Sequence, residues 1–74
     1  MNIKRIKHIN ELIKKQRTGN PAVLASKIGI SERATYKYLK YMKEELEAPI
    51  QFHAVRQSYS YSERGDLNLK WKKN

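Results

Sequence analysis

Helix-breaking residues stand at two closely spaced places in the first half of the chain, and between them there is room for only one short helix. Thr18-Gly19-Asn20-Pro21 is the first and Gly29-Ile30-Ser31 the second. Asn20 before Pro21 reads as an N-cap with proline at the first helical position. Gly29 suits a left-handed helix end, and Ser31 reads as the cap of the next helix. A helix over 21–28 is therefore expected, with a longer one on either side. Upstream, Ile6, Ile9 and Ile13 recur at helical spacing, widened by Ile3 and Leu12, and predict a helix over about 3–17, with Gly19 taking a positive φ at its end. Downstream, Thr35, Leu39, Met42 and Leu46 predict a core stripe on a helix over about 32–47. Ala48-Pro49 stops it, because a residue before proline disfavours the helical region.

After Pro49 the apolar period falls to two. Residues 50–55 and 59–62 read as two strands joined by a turn at Arg56-Gln57-Ser58, with Tyr59 and Tyr61 on one face. Glu63-Arg64-Gly65-Asp66 reads as a polar turn. Leu67-Asn68-Leu69-Lys70-Trp71 alternates as a third strand would, and Lys72-Lys73-Asn74 as a frayed end. Trp71 with Leu67 and Leu69 suits either a strand covering the core or a dimer seam. The expected fold class is α+β, one domain over residues 1–74.

At 74 residues, with 39% hydrophobic residues and no cysteine, the chain has neither a disulfide framework nor a thiolate zinc site to add stability. A small core must hold it, helped in one expected form by a homodimer. No apolar run is long enough for a membrane span. The N-terminus Met1-Asn2-Ile3-Lys4-Arg5-Ile6 has no secretory pattern, so a cytoplasmic location is expected. Sixteen Lys and Arg against seven Asp and Glu give a net charge of +9. That excess suggests a polyanionic partner, most simply nucleic acid.

No catalytic constellation is visible: there is no nucleophile elbow, glycine-rich phosphate loop or pair of carboxylates beside a cleft. An enzyme is not expected, nor is any cofactor. His8 and His53 lie in different elements without metal-ligand spacing. Glu44, Glu45 and Glu47 read as a solvated helix end, and the Lys and Arg residues of the first helix as a solvated face adding to the general field.

The two short helices joined at Gly29 form a helix-turn-helix pattern. Ala25 is small enough for close helix approach, Ile28 and Ile30 bracket the turn, and Ser31 caps the second helix. The run Leu24-Ala25-Ser26-Lys27-Ile28-Gly29-Ile30-Ser31-Glu32-Arg33, followed by Tyr36-Lys37-Tyr38-Leu39, resembles winged helix-turn-helix regulators of the deoxyribose-operon-repressor (DeoR-like) type. It is also similar to the N-terminal domains of WYL-type bacterial transcriptional regulators. Pro49-Ile50 and Tyr59-Ser60-Tyr61 resemble the wing of the same proteins. The chain departs from the usual Thr-Val of that family at Ala34-Thr35, which makes Thr35 a weaker core residue. No effector domain follows the wing, so no small-molecule ligand is expected.

The resemblance implies a three-helix winged helix-turn-helix with a β-hairpin wing. It also implies double-stranded DNA as partner, with the helix over 32–47 in the major groove. Carried onto this sequence, Glu32, Arg33 and Lys37 are candidates for base edges, Arg33 toward guanine and Glu32 toward the cytosine amino group. Ser31, Tyr36 and Lys40 are candidates for phosphate contacts, and Arg56 at the wing tip for the flanking backbone or minor groove. Tyr38 and Tyr41 are expected to pack, and Tyr36 to divide between packing and phosphate contact. The rival expectation is a winged-helix protein-interaction module that reads no DNA sequence.

Overall fold

Local capping chemistry sets the three helices. The computed structural model describes residues 2–68 and 70–73. Asn2 is extended, and its side-chain oxygen accepts from the amides of Lys4 (2.9 Å) and Arg5 (3.3 Å), opening α1 (Ile3–Lys14). Asn20 accepts from the Val23 amide (2.9 Å) to open α2 (Pro21–Ile28). Ser31 accepts from the Ala34 amide (3.0 Å) to open α3 (Glu32–Glu44).

The expected stripes are buried. Ile6, Ile9 and Ile13 of α1 meet Leu24 of α2 and Tyr38, Leu39 and Met42 of α3 in one cluster. Ile3, expected to widen the first stripe, is 60% exposed, and Val23 is exposed too. Thr35 is no weak point: it is wholly buried, and its hydroxyl donates to the Ser31 carbonyl (3.0 Å).

Two helices end earlier than their polar continuation suggests. α1 stops at Lys14 rather than Arg17, because Gln16 turns left-handed (φ 54°). Gln16 then donates to the Ile13 carbonyl and Arg17 to that of Leu12, both at 3.0 Å, which closes the last turn. Gly19, assigned to that helix end, lies instead in the link to α2. α3 stops at Glu44 rather than Glu47, and Glu47 is left-handed (φ 59°).

The C-terminal third forms two hairpins. β1 (Ile50–His53) pairs antiparallel with β2 (Ser58–Tyr61), Ile50 opposite Tyr61 and His53 opposite Ser58. The strand expected over 50–55 therefore ends at His53, and the turn is residues 54–57. Ser58, read as part of the turn, opens β2 and is buried. The cause is Thr18. Its hydroxyl accepts from the Tyr59 amide (2.8 Å) and lies 3.1 Å from the Ser58 hydroxyl, which in turn accepts from the Thr18 amide (3.1 Å). The link between α1 and α2 thus lies along the open edge of β2 and covers it.

The expected third strand over 67–71 is instead a second hairpin, β3 (Gly65–Asn68) with β4 (Lys70–Lys73). Leu67 and Trp71 lie opposite one another; Leu69 is outside the described residues. Gly65 and Asp66, read as turn, belong to β3, and Lys72 and Lys73, read as frayed, to β4. Alternation with period two continues across a tight reversal, so one long strand and two short ones look alike in sequence. Trp71 docks this hairpin. Its amide donates to the Leu46 carbonyl (2.6 Å), its ring packs on Tyr61 (4.3 Å between centroids), and its indole N–H donates to Glu63 (3.0 Å). Gly65 leaves room for the Lys72 carbonyl opposite and for that ring, since a Cβ there would run into the carbonyl and meet the ring at 2.7 Å.

The architecture is α+β, three helices followed by antiparallel hairpins in a winged-helix arrangement. The Cα atoms span 30 × 29 × 17 Å.

Candidate nucleic-acid interface

The solvent face of α3 is fixed by what lies behind it. With Thr35, Leu39 and Met42 against the core, Arg33, Lys37, Lys40 and Glu44 fall within a sector of about 60° on the opposite side, at 3.6 residues per turn. Tyr36 and Lys43 lie beside that sector, and Glu32, in the first turn, lies nearer the core stripe. Ser31, Glu32, Arg33, Tyr36, Lys37 and Lys40 are all exposed. Ser31 spends its oxygen on the Ala34 amide, which leaves the first two amides of the helix without intrahelical partners. They point out of the same end that carries Arg33. Glu32 sits in the first turn, where a carboxylate is favoured by the helix dipole whether or not it meets a base.

Lys40 is engaged. Its ammonium lies 3.9 Å from the Glu44 carboxylate one turn on, both side chains being exposed. Such a pair contributes little to stability and is readily exchanged for a phosphate. Arg33, Lys37 and Lys43 form no ion pair among the described residues.

Between α3 and β2 runs a groove of about 340 Å³, with Leu39 and Tyr59 at its floor and Tyr36, Lys40, Lys43 and Glu44 on its walls. Burial pushes the Tyr59 phenol above its ordinary pKa, and Tyr36 and then Glu32 add to the effect. Tyr59 therefore presents a neutral hydroxyl, and Glu32 and Tyr36 are placed on the hairpin side of the helix. Lys43 and Tyr59 were not among the expected site residues. Lys43 follows the same helical arithmetic as Lys40 and was legible. Tyr59 was not, since its place depends on the hairpin register.

The tip of the first hairpin consists of Ala54, Val55, Arg56 and Gln57, all exposed. Gln57 is left-handed (φ 51°), its amide donates to the Ala54 carbonyl (3.2 Å), and the Arg56 amide donates to His53 Nδ1 (3.4 Å). These bonds hold the backbone and leave the Arg56 side chain free of ion pairs among the described residues. Val55, read as a strand residue, is instead on the tip and 91% exposed. The structure thus puts Arg33, Lys37 and Lys40 on the solvent face of α3, Tyr36 beside that face, Ser31 and Glu32 at its N-terminal end, and Arg56 on a separate projecting hairpin.

Among the described residues no group of three or more His, Cys, Asp or Glu could hold a metal ion, and no helix is long and apolar enough to cross a membrane. No protein-family model, curated protein or solved structure matches this chain.

Proposed function

We propose that this is a sequence-specific double-stranded DNA-binding domain of a bacterial-type transcriptional regulator, working in the cytoplasm, akin to the winged helices it resembles. The observation that carries the reading is the exposure of Arg33 and Lys37 on the solvent face of α3, at the end where Ser31 leaves two helix amides free. In this reading the N-terminal half of α3 lies in the major groove, Arg33 and Lys37 read bases, and Tyr36 and Lys40 meet phosphates. Arg56 at the hairpin tip reaches the flanking backbone. Glu32 stays a candidate for a cytosine amino group, in competition with its role at the helix dipole. One such surface covers few base pairs, so a homodimer on a two-fold site is proposed, with half-sites about 34 Å apart or a multiple of that. The role is binding, not catalysis.

Selection of bound duplexes from a random pool tests this. Enrichment of a common site, palindromic for a dimer, is the expected result. An unenriched pool with no binding at low salt would refute it.

A second reading has its own observation. An apolar groove of about 410 Å³ runs between α1, the end of α3 and β3, bordered by Ile3, Ile6, Tyr41, Leu46 and Leu67. Exposed apolar surface of this kind marks protein partners. If pull-down after nuclease treatment recovers one stoichiometric protein and no duplex is selected, the domain is an interaction module.

A further inference from the structure

The charge of this chain is not where the recognition helix is. Residues 1–20 hold six basic residues and one acidic, a net of +5. Residues 21–61, which carry α2, α3 and the first hairpin, hold six basic and four acidic, a net of only +2. Residues 62–74 hold four and two, again +2. More than half of the excess therefore belongs to α1 and the link that follows it.

Lys4, Arg5, Lys7, Lys14, Lys15 and Arg17 are all exposed. Lys14 is held by Glu11 and Asp66, whereas the other five form no ion pair among the described residues. Lys4 and Lys15 lie almost opposite the stripe of Ile6, Ile9 and Ile13. Three of the cations, Lys4, Arg5 and Lys7, stand in the first turns of a helix with no acidic residue in its first turn. Cations at a helix N-terminus oppose the helix dipole. That placement is unfavourable in the free protein and becomes favourable when an anion covers it.

α1 and α3 turn their apolar stripes to one shared core, so their solvent faces diverge around it. A single straight duplex lying on α3 leaves α1 open. α1 is about 18 Å long, a length over which one DNA strand presents about five phosphates.

We propose that the exposed cations of α1 and of the link that follows it form a second polyanion-binding surface, which takes the phosphate backbone of a second DNA duplex while α3 and the first hairpin hold the first. The proposal rests on the reading of α3 as a duplex-binding face. Contacts at α1 go to phosphates, so the second duplex is taken regardless of sequence.

A sandwich assay separates the two. The full chain is saturated on an immobilised short duplex, and a labelled duplex of unrelated sequence is added in solution. The unmodified chain is expected to capture the labelled duplex. The variant Lys4→Gln/Arg5→Gln/Lys15→Gln/Arg17→Gln is expected to keep its footprint on the first duplex and to lose at least about tenfold in capture. The salt dependence of capture should flatten by about 3 to 4 in log–log slope, four contacts having been removed. It should melt no lower than the parent chain, because two cations opposing the dipole are gone. The charge-retaining set Lys4→Arg/Lys15→Arg should capture normally. A homodimer bridging two duplexes through two copies of α3 would capture equally well with the glutamine variant, and that result overturns the proposal. So does capture that never occurs while the first duplex is bound, or capture of single-stranded RNA in place of duplex. Loss of the first duplex in the glutamine variant, with Arg33→Ala/Lys37→Ala unaffected, would overturn the reading of α3 as well.

Discussion

Thr18 joins two distant parts of the chain. Through one hydroxyl and one amide it ties the link between two helices to Ser58 and Tyr59, some forty positions away. Thr18→Val keeps the shape and removes the acceptor, leaving the Tyr59 amide without its partner, while the Ser58 hydroxyl keeps the Thr18 amide and the Tyr59 carbonyl. A loss of about 1–3 kcal/mol is expected in urea unfolding, with Thr18→Ser losing less. Gln16 makes the opposite case. It holds a left-handed conformation that costs a residue with a Cβ about 1–2 kcal/mol. Gln16→Gly should raise stability by about 0.5–1 kcal/mol, since glycine relieves that strain and loses part of the gain to its freer unfolded state. A lower urea midpoint would show that the Gln16 side chain contributes contacts of its own.

Tyr61 adds a pH signature at the same scale. Burial raises its phenol above the ordinary range, with Asp66 and Glu11 adding, and its hydroxyl donates to Asn10 (2.6 Å). A folded pKa above the unfolded one gives stability that is fully present below about pH 10. It is lost as pH rises further, by at most about 1.4 kcal/mol per pH unit for each such group. Tyr59 behaves alike. Urea midpoints should stay level through neutral pH and fall above pH 10. In Tyr61→Phe the fall should be shallower, because one of the two titrating groups is gone.

At the scale of elements, the function proposed for α3 divides its residues between base edges and phosphates. Arg33→Ala is expected to relax sequence preference, with specific binding reduced by about 1–3 kcal/mol. Lys40→Ala should weaken specific and random duplexes alike, and modestly, because Lys40 already shares its charge with Glu44. Equal effects of the two substitutions on both duplexes would dissolve that division. α2 and the start of α3 were legible in the sequence because those boundaries are written in side chains: Asn20, Pro21, Gly29 and Ser31 each have one dominant backbone use. The ends of α1 and α3 were not, because Gln16 and Glu47 are ordinary helix residues whose identity does not mark the left-handed turn each takes. The second hairpin was hidden by its own regularity, and the burial of Ser58 by a partner forty residues distant. The exposure of Arg33, Lys37 and Lys40 could be read because it follows from helical arithmetic on α3. The groove beside it could not, because it needs the register that places Tyr59.

Across the whole molecule, charge and shape diverge. The Cα extents describe a slab with two broad sides, 17 Å through, and the largest share of the positive charge belongs to residues 1–20, α1 and the link that follows it, rather than to α3. Salt dependence of binding to a short duplex should therefore be modest for a chain of this net charge. About five neutralised phosphates give a log–log slope of roughly −4 to −5. A slope near the full charge count would mean that both faces engage one DNA.

Trp71 is the sole tryptophan, and it sits in the seam between the second hairpin and Leu46, Tyr61 and Glu63, away from α3's solvent face. The protein thus carries an optical gauge for one joint and none for its proposed DNA side. Emission should stay nearly constant as a duplex occupies α3, and should shift to the red when the hairpin lifts. Gly65→Ala, which crowds that indole, should move the emission at room temperature while the far-ultraviolet helical signal stays in place. The last stretch of the chain would then be a flap that opens on its own.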